Sequence, residues 1–422
     1  MKKLQKAVFT SVAFLSMVMT CTLGNVTASE SVAIDATHFP GEILREAVKQ
    51  YDQNADGILS PEEAQSIEQI TIMDGEYDDE LDDASIYPNY VSPVYVESDQ
   101  VVDLEGVQYL TNLKKFKIDP YFGLTGGNWK KFTIQNFAKL SQCKSLQEIY
   151  LGRCELETVD FSVWPQLQKI IVESSSKLTS VKVSNENLTE FHLQRVAGLK
   201  TLDLSGAANL KKVEVRAENL KSIQVAACKK LTTLTVQSNK LQSVNVKKNE
   251  KLADVWLGGK NMNAPDFTKN KKLKKVIIGG VKLKTLDMNK AFGAKTKVKE
   301  LRIEASEIEN FNPGKNVEKL EVSESKVKNA TFEGALKEVT LYAVKNLSKA
   351  DFSNCRNVKT LTISERAIKN VNVRNNTTLK HVEFLQFNLS KIKQIKVGNE
   401  KKFKKVCSQY KKLKKSGVKI VK

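Results

Sequence analysis

A chain of 422 residues with 41% hydrophobic side chains has enough apolar material for a sizeable core, which excludes a wholly disordered protein. Its formal net charge of +19 suits polyanionic surroundings. Only three histidines are present, His38, His192 and His381, and none has a neighbour at the spacing of a zinc site or a nucleophile pair, so an enzyme is not expected.

Residues 1–28 carry Lys2, Lys3 and Lys6, then an apolar run through Met19, then Val26-Thr27-Ala28. These are the three parts of a secretory signal with cleavage after Ala28, and they predict a protein that is secreted or peripherally associated with the cell surface. A rival reading makes Cys21 a lipidated cysteine, although Val18-Met19-Thr20 departs from the small residue that usually precedes one. No later apolar stretch reaches the ~20 residues needed to span a bilayer.

Residues 29–73 read as a small helical cap. Ile43, Leu44, Ala47, Val48 and Tyr51 fall at helical spacing and lead into Asp52-Gln-Asn54-Ala-Asp56-Gly57-Ile58-Leu59-Ser60-Pro-Glu62-Glu63. This resembles an EF-hand loop. Asp52, Asn54 and Asp56 would supply side-chain oxygens, Gly57 the sharp turn, Ile58 its carbonyl, Ser60 the water position and Glu63 both carboxylate oxygens. Calcium is the expected cofactor; the alternative is a solvated acidic helix–turn–helix without metal. Leu59, Ala64, Ile67 and Ile70 are expected on the apolar side of the second helix.

Residues 74–100 form an acidic insertion, concentrated in Asp74 to Asp83 (DGEYDDELDD). From Ser29 to Glu105 the chain has 2 basic and 20 acidic residues, a net of −18, whereas Gly106 to Lys422 has 62 basic and 28 acidic, a net of +34. The insertion is either a solvated loop or an arm that folds onto the basic remainder or holds calcium.

Residues 101–397 are periodic. Leucines recur at 146, 167, 188, 210, 231, 252 and 273, in steps of 21, 21, 22, 21, 21 and 21, and the period continues less strictly at Val298, Val317, Leu336, Val358 and Leu379. Each step holds two L-x-x-L-x-L-like phrases, hence two short strands and two turns. The pattern (LTTLTVQSNKLQSVNVKKN) resembles the 21-residue leucine-rich repeats of secreted bacterial proteins. That resemblance implies a mainly β fold, a leucine-rich-repeat β-solenoid, with the small EF-hand at one end and a capping helix at the other. It also implies a capping coil after the hand, matched by Leu104-Glu-Gly-Val-Gln-Tyr-Leu-Thr-Asn-Leu113. With strands pairing at roughly 4.8 Å, about a dozen coils would extend on the order of 60 Å.

Cys143, Cys228 and Cys355 stand three residues before Leu146, Leu231 and Val358, the slot that Asn249, Asn270 and Asn376 fill elsewhere, and Cys154 takes the equivalent slot of a first half-repeat. All four are read as structural residues of an inward corner, and Cys407 as part of the terminal helix. Residues 398–422 are a basic cap in which Phe403, Val406, Tyr410 and Leu413 predict one amphipathic helix, followed by Gly417 and a short strand.

The middle residue of each first strand points outward, giving a column that includes Tyr150, Ile171, His192, Trp256 and Ile277. Trp256 and Ile277 are followed by Gly258-Gly259 and Gly279-Gly280, which suggests an aromatic floor beside bare backbone. Trp256 and Ile277 are the candidate ligand contacts, with Tyr150 and His192 outlying. The competing explanation is β-propensity alone. An insertion carrying Tyr121, Phe122, Gly126, Gly127 and Trp129 is a candidate binding rim. The sequence thus points to a non-enzymatic binder of a protein or glycan, without nucleic acid; the alternative is a wall-associated structural protein held by teichoic acid or acidic glycan through its basic array.

Overall fold

The computed structural model describes residues 30–74, 94–96, 101–118, 131–293, 298–364, 367–385 and 389–422. The expected signal, Cys21, most of the acidic insertion and the rim residues Tyr121, Phe122, Gly126, Gly127 and Trp129 lie outside them. The chain divides into two units, Met1–Leu210 and Lys211–Lys422.

In the first unit, helix α1 (Glu42–Lys49) buries Ile43, Leu44, Ala47 and Val48, and helix α2 (Pro61–Ser66) follows the acidic loop. The second helix stops at Ser66, so Ile67 and Ile70 are not on its face as expected. Ile70 and Ile72 alternate with Thr71 in the strand Gln69–Asp74 and are buried, a period of two that overrides the helical reading. That strand lies parallel between Val94–Val96 and Lys115–Ile118. The repeat ladder therefore starts at Gln69, ahead of the expected boundary at 101. It continues in register through Glu148–Gly152, Lys169–Glu173 and Glu190–Gln194.

In the second unit nine parallel first strands stack in register, from Lys212–Arg216 to His381–Phe384. Steps of irregular length do not disturb the ladder, because Ile277 pairs with Arg302, Arg302 with Glu321, Glu321 with Thr340 and Thr340 with Thr362. The longest step is absorbed between strands, where the chain forms the short helix α3 (Met288–Ala291). Leu231, Leu234 and Val236 and their counterparts in other coils are wholly buried, each contributing about 1.5–3 kcal/mol. The second-strand ladder is less regular than the sequence implies. Neither Ser243–Val246 nor Ala264–Asp266 pairs as a strand, and Pro265 has no N–H to donate there.

Three devices close the turns. The polar column of second strands is one of them: Asp160, Asp203, Asp266, Asp287 and Asp351 each accept the backbone N–H two residues on. At the inward corner, Asn249 Nδ2 donates to Val225 O and Cys228 O (2.8 and 2.9 Å), and Asn270 Nδ2 to Val246 O and Asn249 O. Cysteine takes the same slot. Cys143 and Cys355 are buried and unbridged, and burial pushes both thiols up to about 12, which keeps them protonated.

The third device is a left-handed residue directly after the first strand: Arg153, Ser174 and Arg195 in the first unit, and Gly259, Gly280, Ala305, Glu324 and Ala343 in the second. Gly259 and Gly280 thus serve the turn. Gly259 has φ +147, and a Cβ there would stand 1.8 Å from Ser238 O.

The C-terminus forms two helices instead of the single one expected, α4 (Glu400–Val406) and α5 (Tyr410–Lys415). Cys407 ends α4 and bridges to Val382, while Gln409 Oε1 accepts from Phe384 N (3.0 Å), so the break serves the edge of the first-strand ladder. The expected short strand, Lys419–Val421, pairs parallel with Gln394–Val397.

Gly259→Ala is expected to cost about 2 kcal/mol and Gly280→Ala, whose Cβ has its nearest neighbour at 3.9 Å, about 1 kcal/mol, as read from urea midpoints. Acid should act through the turn carboxylates. The Lys247 ammonium and the Thr268 donors hold Asp266 at about 2, and Asp351, against the opposing effect of burial, is held at about 2 by Ser353 and Lys349. Folded values below the unfolded 3.8 mean stability that is present above 3.8 and is lost as pH falls through about 2. Thermal melts should therefore be flat from neutrality to about pH 5 and shift downward between about pH 4 and 2.

Candidate functional site

Two places carry the sequence-predicted residues, the acidic loop and the outward faces of the first strands. In the loop, Asp52 Oδ2 accepts from Gly57 N (2.9 Å) and Asp52 Oδ1 from Asp56 N (3.2 Å). Asn54 Oδ1 also accepts from Asp56 N, Asn54 Nδ2 donates to Asp56 Oδ2 (2.8 Å), and Asp56 Oδ1 accepts from Ile58 N (2.8 Å). The loop backbone thus draws Asp52, Asn54 and Asp56 together. Ile58 and Leu59 pair antiparallel with Ala33 and Val32, so the N-terminal strand fixes the exit of the loop.

Glu63 is tied to the backbone at both ends of the loop. Its Oε2 accepts from Ser60 N and Ser60 Oγ (both 2.9 Å), its Oε1 from Gln53 N (2.9 Å), and Ser60 Oγ accepts from Glu63 N, a capping box that starts α2. These donors, the Ser60 and Gln53 backbone first, hold the Glu63 carboxyl below its ordinary range. Among the described residues no three His, Cys, Asp or Glu side chains converge on one point. The donor set, hard oxygens from Asp52, Asn54, Asp56 and Glu63, nevertheless matches calcium chemistry.

On the strand face of the first unit, Tyr150 and His192 are 8% exposed each, buried where solvent exposure was expected. Tyr150 OH donates to Glu173 Oε2 (2.8 Å), and His192 Nε2 lies 3.6 Å from Glu190 Oε2. Ile171 lies between the two on the sheet, paired with Tyr150 on one side and His192 on the other.

On the second unit, Trp256 pairs with Thr235 and Ile277, and its indole is half-buried beneath the Arg216 guanidinium, 4.8 Å from the ring centroid. Glu214 holds Arg216 at 2.9 Å. Trp256 Nε1 is buried without a hydrogen-bond partner and lies 3.5 Å from where a Gly279 Cβ would stand. Gly279 thus borders the indole at ordinary van der Waals distance. Beyond Ile277, Arg302 is clasped by Glu304 and by Glu321 at 3.2 Å.

The most exposed apolar side chains of this face were missed by the sequence reading. Tyr342 is 51% and Leu385 50% exposed, at or just past the ends of the strands Glu338–Tyr342 and His381–Phe384. They belong to the column two residues beyond the middle one, in line with Gly258 and Gly279. Following that second outward position along each strand would have found them.

No protein-family description and no curated protein matches the sequence. Solved structures do. An internalin (InlF) of Listeria monocytogenes superposes with a TM-score of 0.52 over 93% of this chain and 98% of its own, at 15% identity. Internalin C2 of the same organism gives 0.41 over 59% of this chain and 98% of its own, at 18% identity. The Toll–Spatzle complex of Drosophila gives 0.45 over 69% and 42%, at 15% identity. The likeness is one of fold: this chain is a mainly β, leucine-rich-repeat solenoid. Among the described residues no helix is long and apolar enough to cross a membrane.

Glu63→Ala removes the acceptor for three donors at the start of α2. It is expected to destabilise the N-terminal cap by about 1 kcal/mol, seen as faster amide exchange in residues 53–66 with little change in the repeats.

Proposed function

We propose that this protein is a non-enzymatic binder of the cell exterior that recognises a protein or glycan on its strand face, with calcium held by the N-terminal loop. The observation that carries the strand-face reading is the second unit's outward surface. Exposed Tyr342 and Leu385 and half-buried Trp256 stand among charges already fixed in ion pairs, Arg216 with Glu214 and Arg302 with Glu304 and Glu321. Apolar side chains spaced along one face beside pre-ordered polar groups cost little entropy to bind with. Secretion rests on the N-terminal sequence pattern.

The second reading, retention by wall polyanions, draws on the net +34 of residues 106–422. Variants separate the two. Captured on an array of extracellular proteins and wall glycans at physiological salt, Tyr342→Ala with Trp256→Ala is expected to lose tenfold or more of the wild-type signal, about 1.4 kcal/mol or greater. An unchanged signal in a variant that melts like wild type sinks the strand-face reading.

For the loop, Asp52, Asn54, Asp56, the Ile58 carbonyl, Ser60 through water, and Glu63 would hold the ion. Glu63 is the residue whose role changes, since its oxygens serve Gln53 and Ser60 as the cap. Calorimetric titration of calcium should show one saturable site that disappears in Glu63→Gln. Absence of heat in the wild-type protein would remove calcium from the account.

A further inference from the structure

The last corner of the second unit ends differently from those before it. Asn270 closes the carbonyls of Val246 and Asn249, so one corner is sealed by the next. Asn376 closes Phe352 O in the same way. Three residues after Val397, where another such asparagine would stand, the chain has Glu400, which opens α4 and turns to Tyr410 and Lys414. Beside Asn376 there is consequently a cavity of about 760 Å³. Gly398 shapes its wall, because a Cβ there would meet Arg374 O at 2.2 Å.

The lining is chemically one-sided. Val373, Val397 and Phe403, each 2% exposed, and Leu379, 6% exposed, form an apolar floor. Arg356, Arg374 and Lys402 form the rim, and among the described residues no Asp or Glu lines the cavity. Arg374 Nη2 donates to the main-chain oxygen of Lys422 (2.7 Å) and is engaged there, whereas Lys402 donates to the Thr377 carbonyl. Asn376, 5% exposed, keeps Oδ1 buried without a hydrogen-bond partner. The corner asparagines Asn249 and Asn270 share this feature, so it belongs to the corner and not to the cavity.

We propose that this cavity is a binding site, separate from the strand face, for an anionic sugar residue. The carboxylate or phosphate meets Arg356 and Lys402 on the rim, and the apolar face of the ring lies on Leu379 and Phe403. The volume falls within the about 300–1,000 Å³ of small-ligand sites. An extended peptide is disfavoured because the strand Gln394–Val397 is paired on both sides, with Asn370–Val373 and Lys419–Val421, and offers no edge.

The test is calorimetry on the full chain with a short galacturonate oligomer, glucose 6-phosphate, the neutral sugar glucose, and an acidic peptide. One saturable site for either or both anionic sugars, weakened about tenfold or more in Arg356→Glu and in Lys402→Gln, is the expected result. Which of the two binds distinguishes carboxylate from phosphate. Thermal melts matching wild type guard against misfolding, and Trp256→Ala should leave this binding unchanged, keeping it independent of the strand-face reading. Equal binding of glucose, binding of the acidic peptide alone, or no heat from any sugar overturns the proposal.

Discussion

A coil of about 21 residues cannot enclose its own apolar side, so every structural feature of this chain answers to its neighbour coil. Leu231, Leu234 and Val236 are buried only because the coils before and after them are present. The polar backbone follows the same rule. Turn carbonyls at Val246 and Asn249 are closed by Asn270, one coil on, and the first-strand amides by the parallel ladder. The constraint also explains why the ladder tolerates steps of different length. Extra residues leave the stack between strands, as at Met288–Ala291, while the strand register is kept.

Stacking divides the surface into places with different freedom. Corners are committed to closure, which accounts for asparagine or buried cysteine at one turn, Asp or Asn at another and a left-handed residue at a third. The strand face is under no such demand once its alternate residues are buried, and there the chain carries Trp256, Tyr342 and Leu385. The two ends are the remaining exceptions. At the N-terminus the loop of Asp52 to Glu63 rests against the strand Val32–Ala33, and at the C-terminus the corner at Asn376 has no successor.

The leucine period made the fold class legible, because a repeat that buries one face must place apolar residues at fixed intervals. The cysteine slots were legible for the same reason: Cys228 and Asn249 occupy equivalent corner positions, and both are buried. What failed was anything decided by three-dimensional crowding. Gly258-Gly259 and Gly279-Gly280 read as bare backbone beside an aromatic floor, and what the structure adds is that Gly259 and Gly280 supply the left-handed turn. Tyr150 and His192 read as outward and are nearly covered, because outward direction does not decide exposure where Ile171 stands between them on the sheet and Glu173 and Glu190 lie against their polar atoms. Ile67 and Ile70 follow helical spacing while Ile70 and Ile72 follow strand alternation, so Ile70 suits both over so few residues, and the capping box at Ser60 starts a helix without fixing its end. The break at Cys407 answers to Val382, more than twenty residues earlier, a demand that no local pattern records.

The account rests most heavily on the strand face acting through apolar anchorage rather than through net charge. Binding of the wild-type protein to purified cell-wall preparations across a salt series is the direct measurement, since released counterions make polyanion attachment fall steeply with ionic strength while aromatic contacts persist. A component of binding that stays level from about 0.05 to 0.5 M salt is what the account predicts. A logarithmic decline to nothing over that interval would contradict it and leave the basic surface as the attachment device.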